Sequence, residues 1–340
     1  MFPKLVLSIT CVSGFAFPYS VKYSLISPRF GHRSFGFSAF GLSTCSALGF
    51  CLATSEFLAG SLVLLHAAKS KTRIIALNQY TFDIASTFAA MFGKIAQLFK
   101  SKEPFKEPLD LGLLGTDIHS HFIPGIDDGS KDMAMSLELL NGMASYGYKK
   151  VITTPHVMSD MYKNTPEIIN EGCDKLRQAI EAADLDMKVE CAAEYYLDME
   201  FGDKVNRKEL LTFGDNYVLF ELPFTMEPPN MGEVIFEMQL SGFKPVLAHP
   251  ERYGYWFNDF EKYEQLDAKG VLLQLNINSL TGHYGPEVKK IAERLIDNEL
   301  ITLLGSDCHH MGHIEGIDHA RRLPYLHKLV NSGKLINKNL

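Results

Sequence analysis

Between about residue 112 and residue 335, the hydrophobic and polar positions follow two alternating patterns. Short apolar runs are typical of buried strands, and the longer segments between them repeat an apolar side chain every three or four residues, as amphipathic helices do. The predicted strands are 115–119, 150–155, 188–194, 217–222, 245–249, 271–277 and 300–306. The predicted helices are 130–146, 167–183, 233–241, 263–269 and 286–298.

Strands that alternate with helices in this way predict an α/β fold with a parallel sheet, closed or nearly closed into a barrel. Helix-end signals support this pattern, because Gly147 follows the first predicted helix and Pro286 opens the last one. Enzymes built on such barrels carry their chemistry on the loops at the carboxyl ends of the strands. Candidate functional residues should therefore lie where each predicted strand ends.

Residues of metal-ligating types follow six of the seven predicted strands. They are His119, His121, Asp128, His156, Glu194, Glu221, His249, Asp307 and His309. Alternate residues of a strand share a face, so His119 is expected to project with His121, and Asp307 with His309. A lone histidine or aspartate at a strand end is commonly a helix cap or a surface residue, but the whole set favours a metal centre. Of two adjacent aspartates, we assign Asp128 to this set and Asp127 to a turn or cap.

The mixture of imidazole and carboxylate groups suits manganese, iron, zinc or magnesium. Nine ligands are too many for one ion and suit a cluster of two or three. Three divalent ions would exceed the charge of the four carboxylates by about two, which favours a phosphate dianion and an activated hydroxide. Arg252, three residues after His249, is expected to bind phosphate through two hydrogen bonds. The alternative for Arg252 is a surface salt bridge, for example with Glu251.

Five short motifs, in the order in which they occur along the chain, resemble those of the PHP (polymerase and histidinol phosphatase) superfamily. They are Asp-Ile-His-Ser-His at 117–121, Thr-Pro-His at 154–156, Ala-Glu-Tyr-Tyr at 193–196, His-Pro-Glu-Arg-Tyr at 249–253 and Ser-Asp-Cys-His at 306–309. Within that superfamily, the chain resembles the bacterial capsule and exopolysaccharide tyrosine-protein phosphatases from about residue 113 to residue 325. Residues 1–90 have no part in the resemblance.

The resemblance implies a distorted seven-stranded TIM-like (β/α)7 barrel, the PHP fold, holding three divalent ions. Manganese is the expected ion, with iron, zinc or magnesium as alternatives. By resemblance, the first ion is held by His119, His121, Glu194 and Asp307, the second by Glu194, Glu221 and His249, and the third by Asp128, His156 and His309. The implied activity is that of a phosphoric monoester hydrolase acting on phosphotyrosine in a protein. The expected partner is the C-terminal tail of a tyrosine kinase of polysaccharide export.

Two other functions stay open. A small-molecule phosphatase, such as one acting on histidinol phosphate, would use the same ions on another leaving group. A non-catalytic metal-binding scaffold would be expected to have lost ligands, whereas the full set is present. A phosphatase of the thiol type is not expected, because no cysteine has an arginine six positions later.

Two further groups of residues bear on the site. The loop after His156 carries Met158, Met161 and Tyr162, which could receive the ring of a phosphotyrosine. In the sixth predicted strand, three polar residues share a face and either support the site or fill the barrel interior. They are Gln274, Asn276 and Asn278.

The first ninety residues differ in composition from the rest. They hold nine charged side chains, whereas the whole chain has 33 Lys and Arg and 40 Asp and Glu. We interpret 1–90 as an extension without a fold of its own, Met91 as the natural start, 91–111 as a short amphipathic helix with a linker, and 112–335 as the metallophosphatase domain. Membrane contact is expected only if residues 1–102 are native and act as an anchor; the uncharged run 34–55 is long enough to span a membrane but is diluted by Ser, Thr and Gly.

Charge and cysteine content narrow the setting. The formal net charge of −7 gives no general basic field, so nucleic acid is not an expected partner. The six cysteines include no Cys-x-x-Cys pair, which argues against a disulfide framework and against a cysteine zinc site. A reducing, cytoplasmic location is therefore expected.

Overall fold

The computed structural model describes residues 105–340 throughout and, before them, residues 20–24 and 34–38. The chain divides into two units, Met1–Lys100 and Ser101–Leu340. In the first unit, strands β1 (Ser20–Ser24) and β2 (Ser34–Ser38) pair in antiparallel fashion. The predictions of an extension without a fold, of a membrane anchor and of a helix after Met91 fall mainly on residues outside the described part, and they stay predictions.

The second unit is an α/β fold with parallel sheets, as its strand–helix alternation predicts. Its strands are β3 (Thr116–Asp117), β4 (Lys150–Thr153), β5 (His156–Val157), β6 (Lys188–Cys191), β7 (Glu194–Tyr196), β8 (Tyr217–Glu221), β9 (Lys244–Ala248), β10 (Leu272–Asn276) and β11 (Ile301–Gly305). They form one sheet in the order β3-β4-β6 and a second in the order β11-β10-β9-β8-β7-β5. Every pairing between neighbouring strands of this unit is parallel.

The predicted count of seven strands needs correction, because the described part of this unit has nine. The predicted strand 150–155 ends earlier, as β4, and a separate strand, β5, begins after Thr154 and Pro155. The predicted strand 188–194 is divided into β6 and β7 by Ala192 and Ala193. Pro155 has no backbone N–H to donate to a neighbouring strand, so pairing is interrupted at the first break. At both breaks, the strands before and after belong to different sheets.

The helices lie between the strands. They are α1 (Met133–Ser145), α2 (Pro166–Ala182), α3 (Phe201–Arg207), α4 (Met231–Leu240), α5 (Glu261–Ala268), α6 (Pro286–Asp297), α7 (Met311–Ala320) and α8 (Pro324–Val330). Five of them match the predicted helices, whereas α3, α7 and α8 were not predicted. The first two helices begin at side-chain caps: Asp132 accepts a hydrogen bond from Met135 N, and Thr165 accepts one from Ile168 N.

The buried apolar residues form two clusters. The larger cluster contains the inward faces of the helices, including Leu140 of α1 and Leu176 of α2. The smaller cluster lies among the strands and includes a residue from or next to β3, β4, β6, β8, β9 and β11. These residues are Ile118, Ile152, Ala192, Leu219, Val246 and Leu303. An inner apolar layer therefore lies between the two sheets.

The edges of the two sheets are joined by Asn337, a fully buried residue near the C-terminus. Its side-chain amide donates to Thr116 O of β3 at 3.0 Å and to Leu304 O of β11 at 2.7 Å. Its carbonyl oxygen accepts a hydrogen bond from Leu304 N at 3.0 Å. The ordered fold thus extends beyond residue 335, where the sequence predicts that the domain ends.

A disulfide joins Cys173 of α2 to Cys191 of β6, a pair that the sequence argument against a disulfide framework did not foresee. The cysteines are 18 residues apart and meet because α2 packs on β6.

In the part of the chain that the structure describes, no helix combines the length and the apolar character needed to cross a membrane.

Candidate metal centre

The first corner of the site is the segment that follows β3. The Nδ1 atom of His119 lies 2.8 Å from Gln274 Oε1, and that of His121 lies 2.8 Å from Asp127 Oδ2. An amide oxygen and a carboxylate oxygen accept hydrogen bonds, so both Nδ1 atoms donate; in the neutral imidazole, the form that binds a metal ion, each Nε2 atom then keeps its lone pair. This arrangement orients the imidazoles of many metal-binding histidines.

The last corner follows β11 and uses the same arrangement. His309 Nδ1 lies 2.9 Å from the carbonyl oxygen of Asp307, so its Nε2 turns towards Asp128 Oδ1, 3.4 Å away. The strand ends at Gly305, and Asp307 has a φ of 47°. Strand alternation therefore does not continue to residue 307, and the predicted reason for pairing Asp307 with His309 is wrong, although both reach the site.

Two of the candidate ligands have left-handed backbone conformations. His249 has a φ of 31° and Asp307 a φ of 47°. Such conformations cost of order 1–3 kcal/mol each for a residue with a side chain, and they concentrate at functional sites. At both positions, the left-handed residue follows closely on the end of a strand, β9 or β11.

Glu194, the first residue of β7, lies at the centre of the site and is fully buried. Its carboxylate contacts four imidazoles: His119 Nε2 at 3.1 Å, His121 Nε2 at 3.5 Å, His156 Nδ1 at 3.1 Å and His249 Nε2 at 3.2 Å. Glu221, at the end of β8, contacts His156 Nδ1 at 3.3 Å and His249 Nε2 at 3.7 Å. One carboxylate therefore joins four histidines from three different strand ends.

All nine predicted ligands fall into four groups in which one ligand atom per residue lies within 4.8 Å of the others. The groups are His121, Asp128, His156 and His309; His119, His121 and Glu194; His119, His249 and Asp307; and His156, Glu194 and Glu221. These groups overlap, and they combine the residues differently from the three sites that the resemblance implies. The assignment of each residue to one ion stays a prediction.

The electrostatics of the cluster are those of opposite charges held out of water. Burial lowers the pKa of His119, but the carboxylates of Glu194 and Asp307 outweigh burial and raise it to about 9. Burial raises the pKa of Asp307, but His119, His309 and other cations hold it well below its usual range. Asp307 is thus ionised and available as a ligand.

Several polar atoms of the cluster are buried and make no well-oriented hydrogen bond among the described residues, although most of them face an opposite group at 3.1–3.5 Å. They are His119 Nε2, His121 Nε2, His156 Nδ1, Glu194 Oε2, Glu221 Oε1 and His249 Nδ1. Buried polar atoms are normally satisfied, and so many orphaned lone pairs in one place are costly unless a cation binds them. This donor set, with imidazole nitrogens and carboxylate oxygens converging, fits divalent metal ions.

Arg252 lies beside the cluster, in the short 3-10 helix Pro250–Arg252 that follows His249. Its Nη1 donates to Asp307 Oδ2 at 2.7 Å, so the alternative predicted partner, Glu251, does not hold it. Its guanidinium carbon lies 4.9 Å from the ring centre of Phe224 and 4.3 Å from that of Tyr284. The guanidinium is therefore fixed by two aromatic rings and one carboxylate.

Sequence reasoning missed some of the residues that support the site. Asp127 accepts from Gly129 N at 3.0 Å, as a turn residue does, but it also orients His121 and accepts from His156 N at 3.1 Å. The Asp-Asp-Gly motif alone does not distinguish these roles. No sequence signal marked Phe224 or Tyr284 as neighbours of Arg252.

The polar residues of β10 and of the 3-10 helix Ile277–Thr281 that follows it separate into two classes. Gln274 orients His119, and Asn276 Nδ2 donates to Asp307 Oδ2 at 3.0 Å. Asn278 instead donates to the carbonyl oxygen of His313 at 3.2 Å and holds the α7 segment. The first two residues therefore support candidate ligands, whereas the third packs against α7.

The parallel α/β fold and the imidazole and carboxylate groups at its strand ends define a protein with a candidate multinuclear metal centre. A family model described as capsular polysaccharide synthesis, CpsB/CapC, matches residues 115–331. The chain belongs to this family. The resemblance to the capsule and exopolysaccharide phosphatases is thereby confirmed.

Characterised relatives are similar over the same part of the chain. Tyrosine-protein phosphatase YwqE of Bacillus subtilis is 32% identical over 196 residues, which are 57% of this chain and 77% of that protein. Tyrosine-protein phosphatase CpsB of Streptococcus pneumoniae is 28% identical over 202 residues, covering 57% of this chain and 83% of that protein. A solved structure from work on YwqE and CpsB, described as unique metal-dependent tyrosine phosphatases, matches with a TM-score of 0.59 and 29% identity, over 66% of this chain and 90% of that one.

We expect divalent metal to stabilise the protein. At a Mn²⁺ concentration of about 100 times Kd, binding adds about 2.7 kcal/mol to the free energy of unfolding, and each kcal/mol raises the thermal midpoint of a domain of this size by about 2–4 °C. Glu194→Gln should lose most of this rise, because Glu194 contacts four of the five histidines. Scanning calorimetry with Mn²⁺ and with chelator measures the effect.

The matched control is Glu264→Gln, which changes an exposed glutamate of α5 in the same way. It should retain the full Mn²⁺-dependent rise. Equal midpoints with Mn²⁺ and with chelator in the unchanged protein would contradict the metal assignment, as would a normal rise in Glu194→Gln.

Proposed function

We propose that this chain is a metal-dependent protein-tyrosine phosphatase, which hydrolyses the phosphate monoester of phosphotyrosine in a protein. The observation that carries the proposal is the convergence of nine imidazole and carboxylate groups at one end of the sheets, with the Arg252 guanidinium beside them. Membership of the CpsB/CapC family supports it, since relatives of this family are named tyrosine-protein phosphatases.

The residues proposed to hold the metal are those predicted from the sequence. They are His119, His121, Asp128, His156, Glu194, Glu221, His249, Asp307 and His309. We propose three divalent ions, with manganese expected and iron, zinc or magnesium as alternatives. Such ions, when bound, polarise phosphate oxygens and lower the pKa of water so that hydroxide is available at neutral pH.

The chain's own contribution to the reaction is binding and orientation. Arg252 is proposed to grip the phosphate oxygens, a task for which its planar fork of N–H groups is suited. Asp307 and the rings of Phe224 and Tyr284 fix the guanidinium before substrate arrives, so little side-chain freedom is lost on binding. The histidines whose Nδ1 atoms are hydrogen-bonded keep the Nε2 lone pair directed at the cluster.

A thiol mechanism does not suit this site. Cys308 lies between two candidate ligands, Asp307 and His309, but its side chain is buried. Burial raises the pKa of its thiol well above the usual range, so it is not ionised at neutral pH. An un-ionised thiol is a poor nucleophile.

The fold proposed to position these residues is one distorted barrel of the PHP type. Its closure is supported by hydrogen bonds from Asp307 N to His119 O at 2.7 Å and from His121 N to Cys308 O at 3.0 Å. The parallel bridge between Ser120 and Cys308, and the double contact of Asn337 with both edges, support it as well. The inner apolar layer would then be the interior of the barrel.

The proposed substrate protein is a tyrosine kinase of capsule or exopolysaccharide synthesis, dephosphorylated on its C-terminal tail. The matching family is one of capsular polysaccharide synthesis, and this supports the assignment. Nucleic acid is not proposed as a partner. We propose a cytoplasmic location, where ATP is available to the kinase, although the Cys173–Cys191 disulfide argues in the other direction because disulfides are rare there.

Hydrolysis of a phosphotyrosine peptide, compared with that of histidinol phosphate, tests the proposal. We expect turnover of the peptide with Mn²⁺, no turnover with chelator, and a higher kcat/KM for the peptide. The His249→Ala and Asp307→Ala variants should lose turnover while keeping a folded far-UV spectrum. Activity that resists chelator would contradict the metal mechanism, and a preference for histidinol phosphate would contradict the phosphotyrosine assignment.

Arg252→Ala should lower kcat/KM by roughly 100-fold or more, because a charge-assisted pair of hydrogen bonds to phosphate is lost. Arg252→Lys should restore little of this loss, since an ammonium group cannot make the paired contact. Arg177→Ala, which changes an arginine of α2 that is paired with Asp174, is the control and should be unaffected. Metal content, measured by mass spectrometry, should stay near that of the unchanged protein in all three variants. Unaltered kinetics in Arg252→Ala would refute its assigned role.

A further inference from the structure

We propose that Phe224 determines specificity for aromatic phosphate esters, because its ring packs against the ring of the departing tyrosine. The inference rests on the proposed function and deepens it by naming the part of the chain that recognises the aromatic group. No motif predicted this residue from the sequence. It lies in the loop after β8, three residues beyond the candidate ligand Glu221.

The ring of Phe224 contacts two groups of the site at once. Its centre lies 5.8 Å from that of the His249 imidazole, with 21° between the planes, and 4.9 Å from the Arg252 guanidinium carbon. Yet 47% of the residue is exposed. One part of the ring thus contacts His249 and Arg252, and another part is exposed and open to a ligand.

The loop that carries Phe224 is held in place on both sides. Before it, Leu222 N donates to the hydroxyl oxygen of Tyr253 at 2.9 Å. After it, Glu227 accepts hydrogen bonds from Trp256 Nε1 at 2.7 Å and from Lys262 Nζ at 2.9 Å. The exposed ring is therefore presented by an anchored loop, which limits the entropy lost when a ligand packs on it.

The chemistry of the substrate places an aromatic ring within reach. In phosphotyrosine, a single ester oxygen separates phosphorus from the ring. A phosphate that is held by Arg252 and faces the cluster must direct its leaving group outwards, past the side chain that touches both Arg252 and His249. Paired aromatic rings contribute a modest but specific attraction, equivalent to about 3- to 10-fold in kcat/KM.

Tyr162 is the competing ring, because its loop was expected to receive the phosphotyrosine. It stacks on His156 with centres 5.6 Å apart and 12° between planes. Among the described residues, the aromatic rings that pack against the Arg252 guanidinium are those of Phe224 and Tyr284. Tyr284 is the less exposed of these two, and its hydroxyl accepts a hydrogen bond from Asn276. These contacts favour Phe224.

The test compares an aryl with an alkyl ester on the full chain loaded with Mn²⁺. The kcat/KM ratio of phenyl phosphate to ethyl phosphate is measured for the unchanged protein and for each variant, so the different intrinsic reactivities cancel. Phe224→Leu should lower this ratio by about 3- to 10-fold, because it keeps an apolar side chain but removes the ring. Met226→Leu, an exposed change in the same loop, should leave the ratio unchanged.

Tyr284→Leu separates a direct contact from an effect through Arg252. It removes the other ring from the guanidinium, and it should lower kcat/KM for both esters by the same factor. A second readout is independent of turnover: Phe224→Leu should weaken binding of phenylphosphonate relative to methylphosphonate by the same 3- to 10-fold, measured by calorimetry.

Equal losses on both esters in Phe224→Leu, with no change in the phosphonate ratio, would overturn the inference and leave Phe224 as a support for Arg252. A ratio that changes with Tyr162→Leu but not with Phe224→Leu would overturn it as well. Failure of the proposed function would look different, because the unchanged protein would not hydrolyse a phosphotyrosine peptide at all. The phosphonate ratio would still decide the role of Phe224 in that case.

Discussion

Four carboxylates and five imidazoles share one mostly buried site, and the rest of the structure accommodates the cost of keeping them there. Withdrawing a charged group from water costs several kcal/mol unless opposite charges and hydrogen bonds compensate. The cluster provides that compensation at 3.1–3.5 Å between imidazole nitrogens and Glu194. Oxygen acceptors at the Nδ1 atoms of His119, His121 and His309 fix which nitrogen faces inwards.

Close backbone packing is a second consequence of the same constraint. A Cβ atom at Gly305 would lie 2.6 Å from Gln274 Nε2 and 2.7 Å from His119 Cβ. Only glycine therefore allows the end of β11 to approach the segment after β3 this closely. The left-handed backbone conformations of His249 and Asp307 also cost conformational free energy, and the surrounding hydrogen bonds offset it. The site is therefore rigid before any ligand binds, which is what orientation of a phosphate ester requires.

Much of this organisation could be predicted from the sequence, because it follows from alternation along the chain. Parallel strands end at one edge, so ligand-type residues at strand ends had to converge, and the nine predicted residues do lie together. The backbone conformation of Asp307 could not be predicted, because nothing in the sequence Asp-Cys indicates a positive φ. The breaks between β4 and β5 and between β6 and β7 could not be predicted either, because they depend on which strands pair on each side of the break.

Contacts between distant loops were the least predictable part. Phe224 and Tyr284 meet at Arg252 although sixty residues separate them in the sequence, and only the fold brings them together. The sequence predicts Asp127 as a turn residue because its local role is one, while its contact with His121 is visible only in three dimensions. The Cys173–Cys191 pair depends in the same way on the packing of α2 against β6.

Together these features support one proposal: the strand-end ligands hold divalent ions, and Arg252, between two rings, binds the phosphate of an aromatic ester. The most direct test is a crystal structure grown with Mn²⁺ and inorganic phosphate, with diffraction data collected on both sides of the manganese absorption edge. The account predicts anomalous peaks enclosed by the nine side chains and a phosphate in contact with the Arg252 guanidinium. Peaks elsewhere on the protein, or none within the cluster, would contradict it.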